Sequence, residues 1–146
     1  MLLRINGLIP SSQISTVREI LDRSDYRDGR ESAGHDAVSV KNNEELAPDN
    51  PDTARLNNII MGRLVSHPIY QYGVLATRVA APFYALYTPG KRYGTHIDDH
   101  IMGVGDRYRT DVSITVFLND PDEYEGGELS ITTTYGEVKE KLPAGD

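Results

Sequence analysis

Asp111-Val112-Ser113-Ile114-Thr115-Val116-Phe117-Leu118 is the stretch on which the fold turns. Val112, Ile114, Val116 and Leu118 fall on one side of an extended chain, and Ser113, Thr115 and Phe117 on the other. That is the two-residue period of a strand. Asn119-Asp120-Pro121 closes it with turn residues. Downstream, Glu128–Thr134 and Glu137–Leu142 read as two more strands around Tyr135-Gly136, after Gly126 and Gly127, which suit positive φ. Pro143-Ala144-Gly145-Asp146 reads as a turn leading towards a further strand. Upstream, Phe83, Ala85 and Tyr87 alternate with Tyr84 and Leu86 before a turn at Thr88-Pro89-Gly90.

The first half has another rhythm. Ile14, Val17, Ile20 and Leu21 take helical spacing within Ser11–Asp25, with Ser11 or Ser12 as the expected N-cap. A polar stretch follows from Asp28 to Asp49, with a short strand expected around Ala37–Val40. Asn50-Pro51 reads as N-cap and first position of a second helix, carried by Leu56, Ile59, Ile60 and Leu64 to about Ser66. Helices first and strands later predict an α+β fold, with a barrel or sandwich as the main sheet.

Composition narrows the function classes. The 146 residues suit one domain. With 22 acidic and 15 basic residues the net charge is −7, which argues against a nucleic-acid partner. The longest apolar runs are too short for a membrane span, and Met1-Leu2-Leu3-Arg4 lacks the apolar stretch of an export signal. The cytoplasm is the expected compartment. Zero cysteines rule out disulfides and thiolate metal sites.

His96-Ile97-Asp98 is the chemical centre. In an extended segment residues i and i+2 project from one face, so the imidazole and the carboxylate can converge on one ion. Together they are two thirds of the 2-His-1-carboxylate facial triad, which holds Fe(II) and leaves open positions. His-x-Asp recurs often by chance, and a loop histidine near a solvated carboxylate is the bland alternative. His100, four residues after His96, would suit a zinc site on a helix, but Gly94, Gly103 and Gly105 argue against a helix there. His35 and His67 suit surface or helix-end positions.

The surroundings carry more than the motif. Tyr87-Thr88-Pro89-Gly90-Lys91-Arg92-Tyr93-Gly94-Thr95-His96-Ile97-Asp98 resembles the strand-turn-strand approach to the iron site of prolyl-hydroxylase-like oxygenases. Asp28-Gly29-Arg30 and Val40-Lys41-Asn42-Asn43 precede it. Arg109-Thr110-Asp111, Phe117-Leu118-Asn119-Asp120, Tyr124-Glu125-Gly126-Gly127-Glu128-Leu129 and Lys141-Leu142-Pro143-Ala144-Gly145-Asp146 follow it in order. Together these resemble the bacterial PKHD-type hydroxylases over essentially the whole chain.

The resemblance implies a double-stranded β-helix (jelly-roll) core behind N-terminal helices. Residues 1–80 would form the helical region and residues 81–146 the first, incomplete part of that core, in one domain. It implies His96 and Asp98 as two iron ligands. The second histidine, and an arginine for the distal carboxylate of 2-oxoglutarate, are expected on strands beyond Asp146, so this stretch alone is expected to be inactive. Tyr87 either binds the 2-oxo acid or packs in the barrel mouth. Asp99 is a possible orienting acceptor for His96 or simply exposed, and Arg109, Asp111, Lys41, Asn42 and Asn43 either face substrate or serve strand ends and turns. The implied activity is an Fe(II)- and 2-oxoglutarate-dependent dioxygenase that hydroxylates a small-molecule or peptide substrate with O2, with L-ascorbate keeping the iron reduced. A non-catalytic jelly-roll binding module is the alternative from another class.

Overall fold

The computed structural model describes residues 2–103 and 105–146. Two helices form where the 3–4 spacing places them. Helix α1 (Ser11–Asp22) buries Ile14, Val17 and Ile20, and helix α2 (Thr53–Ser66) buries Leu56, Ile60 and Leu64. These stripes meet in one core with Leu8, Ile9, Tyr70 and Tyr84, against which Val116, Leu118 and Ala144 also pack. Ile9, Val17, Ile20 and Leu56 are the most completely buried large side chains, each stabilising the fold by about 1.5–3 kcal/mol relative to exposure.

Among the described residues, nine short strands pair antiparallel in five ladders that make four sheets. Strands β1 (Tyr26–Asp28), β3 (Glu44–Leu46) and β4 (Ala85–Leu86) form a three-stranded sheet in the order β1-β3-β4. Strand β2 (Lys41–Asn42) pairs with β5 (Arg92–Tyr93), and β6 (Ile101–Met102) with β7 (Tyr108–Arg109). The expected hairpin is present as β8 (Leu129–Thr133) and β9 (Gly136–Glu140), with Ile131 opposite Val138. The fold is α+β. Two of the sheets join residues before position 80 to residues after it, so the helical region and the strand-rich region share ladders as well as a core.

Several local expectations need correction. Neither Ser11 nor Ser12 caps α1. Pro10 occupies that position in an extended conformation with no side-chain cap, and its carbonyl accepts from the Gln13 and Ile14 amides. The helix stops at Asp22, where the Ser24 hydroxyl turns back to the Ile20 carbonyl. Asn50 does start the turn into α2, accepting from the Asp52 amide at 2.9 Å, but Pro51 lies before the first helical residue, Thr53. Ala37–Val40 is a turn. The Ala37, Val38 and Val40 amides are satisfied locally by the Gly34 and Ala37 carbonyls, and the strand begins at Lys41.

The largest correction concerns Asp111–Leu118, which joins no ladder among the described residues. Its recorded backbone bonds are those of Phe117, which donates to the Asp146 carbonyl at 3.0 Å and accepts from the Gly145 amide at 2.8 Å. Alternation specifies a two-faced ribbon, but only a partner strand turns the ribbon into sheet. Val116 and Leu118 rest on the helical core, while Val112 (58% exposed) and Ile114 (44%) face outward.

The turn at residues 143–146 is tied down on both sides. Gly145 accepts from the Ile9 amide at 2.9 Å, and the Asp146 carboxylate accepts from the Gly7 amide. Gly145 has φ +97, and a Cβ there would stand 2.3 Å from the Ile9 carbonyl oxygen. Gly145→Ala should therefore destabilise the chain by about 2 kcal/mol, from backbone strain and the clash together. Urea unfolding measures this, and an unchanged midpoint would disprove the close approach. Gly126 and Gly127 adopt the positive φ expected of them, +70 and +72.

Candidate metal centre

The His-x-Asp segment hangs from β5. Its approach is the expected turn, in which the Lys91 amide donates to the Thr88 carbonyl and Gly90 takes φ +83. Lys91 also pairs with Glu44 at 3.0 Å, holding the turn to β3. Strand β5 then runs against β2, with Tyr93 opposite Lys41 and Arg92 opposite Asn42. Gly94 extends the contact by donating its amide to the Val40 carbonyl at 2.9 Å. Residues 96–99 form neither helix nor strand, so the His-x-x-x-His alternative with His100 lacks its scaffold.

His96 and Asp98 meet as their spacing implies. Imidazole Nδ1 lies 2.8 Å from the Gly94 carbonyl oxygen, and Nε2 lies 3.1 Å from Asp98 Oδ1. A carbonyl only accepts, so Nδ1 carries a proton, and in the neutral form of the ring Nε2 turns a bare lone pair towards the carboxylate. Two acceptors at that distance need a cation between them or a second proton on the ring. Ser113 donates its hydroxyl to Asp98 Oδ2, which steers the carboxylate and leaves Oδ1 for the cation. Ser113 lies on Asp111–Leu118, so that segment reaches the site without belonging to a ladder. A nitrogen and an oxygen presented in this way suit a divalent first-row metal such as Fe(II). Among the described residues, no group of three or more histidine, aspartate or glutamate side chains is placed to hold a metal.

The orienting contact of His96 comes from Gly94 rather than Asp99. The Asp99 carboxylate instead lies against Gly34, and its carbonyl accepts from the Thr110 hydroxyl. Tyr93 stacks on His96, with ring centroids 3.7 Å apart and planes 9° apart. Its phenol is pushed up, chiefly by burial and then by the surrounding charges of Asp98, Tyr87, Glu45 and Asp99. Tyr87 is thus near the site. It is exposed as a residue, yet loss of water around its hydroxyl raises the phenol, the Asn43 amide opposes that shift, and Glu45 adds to it.

No protein-family model matches the chain. A PKHD-type hydroxylase of Thioalkalivibrio sulfidiphilus is 45% identical over 146 residues, covering 99% of this chain and 65% of the relative. The chain belongs with the PKHD-type hydroxylases. Others from Stenotrophomonas maltophilia (41% identical) and Hyphomonas neptunium (42%) align with all of this chain and 66% of their own length. The chain therefore spans just under two thirds of the length of these PKHD-type hydroxylases.

Placed in this PKHD-type chain, the remaining sequence candidates separate. His35 is fully exposed beside Asp36, and His67 ends α2, its Nδ1 accepting from the Ile69 amide. Arg109 pairs with Asp111 at 2.8 Å, both well exposed. A concavity of about 670 Å³ beside α1 and α2, lined in part by Gln13, Arg55 and Arg63, contains none of the metal-centre residues. Sequence reading missed the buried lysine. Lys41 is 7% exposed, donates to Ser32 Oγ at 2.8 Å, pairs with Glu45 at 2.5 Å, and stands 5.1 Å from the Tyr93 ring centroid. Asn43 beside it is also buried, and its Oδ1 finds no hydrogen-bond partner among the described residues. The signal was present: Lys41, Asn43 and Glu45 share one side of an extended chain, and that side faces inward.

Proposed function

We propose that this chain supplies two of the iron ligands, His96 and Asp98, of an Fe(II)- and 2-oxoglutarate-dependent hydroxylase. One observation carries the reading. The Gly94 carbonyl fixes the proton on His96 Nδ1, so Nε2 and Asp98 Oδ1 present two lone pairs 3.1 Å apart to a cation. The hydroxylase names of the relatives support it. When bound, Fe(II) with 2-oxoglutarate supplies the oxidising chemistry: one atom of O2 enters succinate as CO2 leaves, and the other becomes the substrate hydroxyl.

The chain's own residues orient and shelter that chemistry. His96 and Asp98 hold the metal, Ser113 keeps the carboxylate turned, and Tyr87 offers its hydroxyl to the 2-oxo acid. The third ligand, a histidine, and the arginine for the distal carboxylate belong to the part of the protein that the relatives have and this chain does not span. The four sheets are pieces of a jelly roll, ascorbate keeps the iron reduced, the substrate is a small molecule or peptide, and the compartment is the cytoplasm. No helix among the described residues is long and apolar enough to cross a membrane.

Anaerobic calorimetry with Fe(II) tests the ligand assignment on this chain. Binding should be weaker than at a three-ligand site, and His96→Ala should weaken it further by at least about tenfold, the scale of losing even an outer partner. Equal affinity in the two proteins would remove His96 from the site.

A further inference from the structure

Two independent contacts hold the His96 ring, one from β5 and one from the residue that follows it. The Gly94 carbonyl takes the Nδ1 proton, and the Tyr93 ring lies flat on the imidazole at 3.7 Å. A single hydrogen bond does not by itself fix the ring: rotation about Cβ–Cγ breaks it and swings Nε2 away from Asp98. A parallel plate on the ring face removes that rotation. The plate is itself held: Tyr93 and Lys41 are register partners across β2 and β5, and the Lys41 ammonium approaches the Tyr93 ring at 5.1 Å. Cross-strand partners project from the same face of a ladder. Lys41 is in turn fixed by Ser32 and Glu45, both hydrogen-bonded to its ammonium.

The geometry points to Tyr93 as a positioning residue that sets the plane of the His96 imidazole and so aims Nε2 at the metal position, with Lys41 anchoring the tyrosine. This rests on the metal reading above for its purpose, though not for its geometry. Stacking needs the aromatic ring and not the hydroxyl. Tyr93→Phe should therefore behave as the unaltered chain, and Tyr93→Leu should not.

Nitrogen NMR of the His96 ring in the metal-free chain, at a pH where the imidazole is neutral, reads the first effect. The unaltered chain and Tyr93→Phe should show the proton on Nδ1. Tyr93→Leu should show a mixture of the two tautomers, because a ring that turns loses its bond to Gly94. Should leucine prevent folding, Tyr93→Ile keeps the strand preference and serves in its place. Calorimetry with Mn(II) reads the second effect: affinity should fall about tenfold or more in Tyr93→Leu and stay within about twofold in Tyr93→Phe. A single Nδ1–H tautomer in Tyr93→Leu, or an equal loss of Mn(II) affinity in leucine and phenylalanine variants, would overturn the proposal. If His96→Ala leaves Mn(II) binding unchanged, the metal reading fails, and the tautomer measurement alone then decides the role of Tyr93.

Discussion

Asp98→Ala in the whole protein should abolish iron-dependent release of succinate from 2-oxoglutarate. Among the described residues Asp98 is the only carboxylate against His96 Nε2, at 3.1 Å, and its second oxygen is committed to Ser113. Removing it leaves one neutral imidazole at this end of the site and deletes the negative charge that offsets a divalent cation. Loss of an outer-shell partner costs roughly 10–100-fold in metal affinity or activity, and loss of a ligand should exceed that. Asp98→Asn keeps size and the Ser113 contact but removes the charge, so it should fall nearly as far. Ser113→Ala, which only frees the carboxylate to turn, should fall much less. Succinate measured against added Fe(II) decides among these, and unaltered turnover in Asp98→Ala would end the ligand assignment.

Lys41→Met should lower the unfolding free energy by about 3 kcal/mol, the scale of breaking a buried ion pair from one side. The Lys41 and Glu45 side chains are only 6% and 13% exposed, so the stranded Glu45 carboxylate would have little water to replace its partner. Methionine matches the lysine stem in length and stays apolar, which keeps the loss electrostatic rather than a cavity. Adding Glu45→Leu should recover much of the stability, because the penalty lies in the uncompensated charge. Urea unfolding of the single and double variants measures both steps. A single variant within about 0.5 kcal/mol of the unaltered chain would mean that the pair is effectively solvated.

The elements legible in the sequence are those whose information is local. The stripes Ile14-Val17-Ile20 and Leu56-Ile60-Leu64 recur at helical spacing, and both helices form and bury them. The hairpin of β8 and β9 forms as alternation suggests, turning at Thr134-Tyr135, one residue before the expected Tyr135-Gly136. The pairing of His96 with Asp98 follows from two residues on one face of an extended segment. The PKHD-type resemblance was legible too, from ordered blocks along the chain.

What the tertiary structure decided needs partners distant in sequence. Asp111–Leu118 alternates as well as any strand, yet a ladder takes two strands, and among the described residues only Phe117 finds backbone bonds here, with residues 145 and 146. Whether a polar side chain is inside depends on what lies over it. Lys41 reads as a turn or substrate-facing residue until Glu45 and Ser32 close around its ammonium. The partner of His96 Nδ1 was equally hidden. A charged Asp99 looked suitable, but β2 holds β5 so that the Gly94 carbonyl faces the imidazole instead. Local patterns set the repertoire of helix, strand and ligand pair, because they depend on neighbours along the chain. Burial, ladder partners and ring orientation were set by tertiary contact, because each is a property of two segments and neither segment encodes it alone.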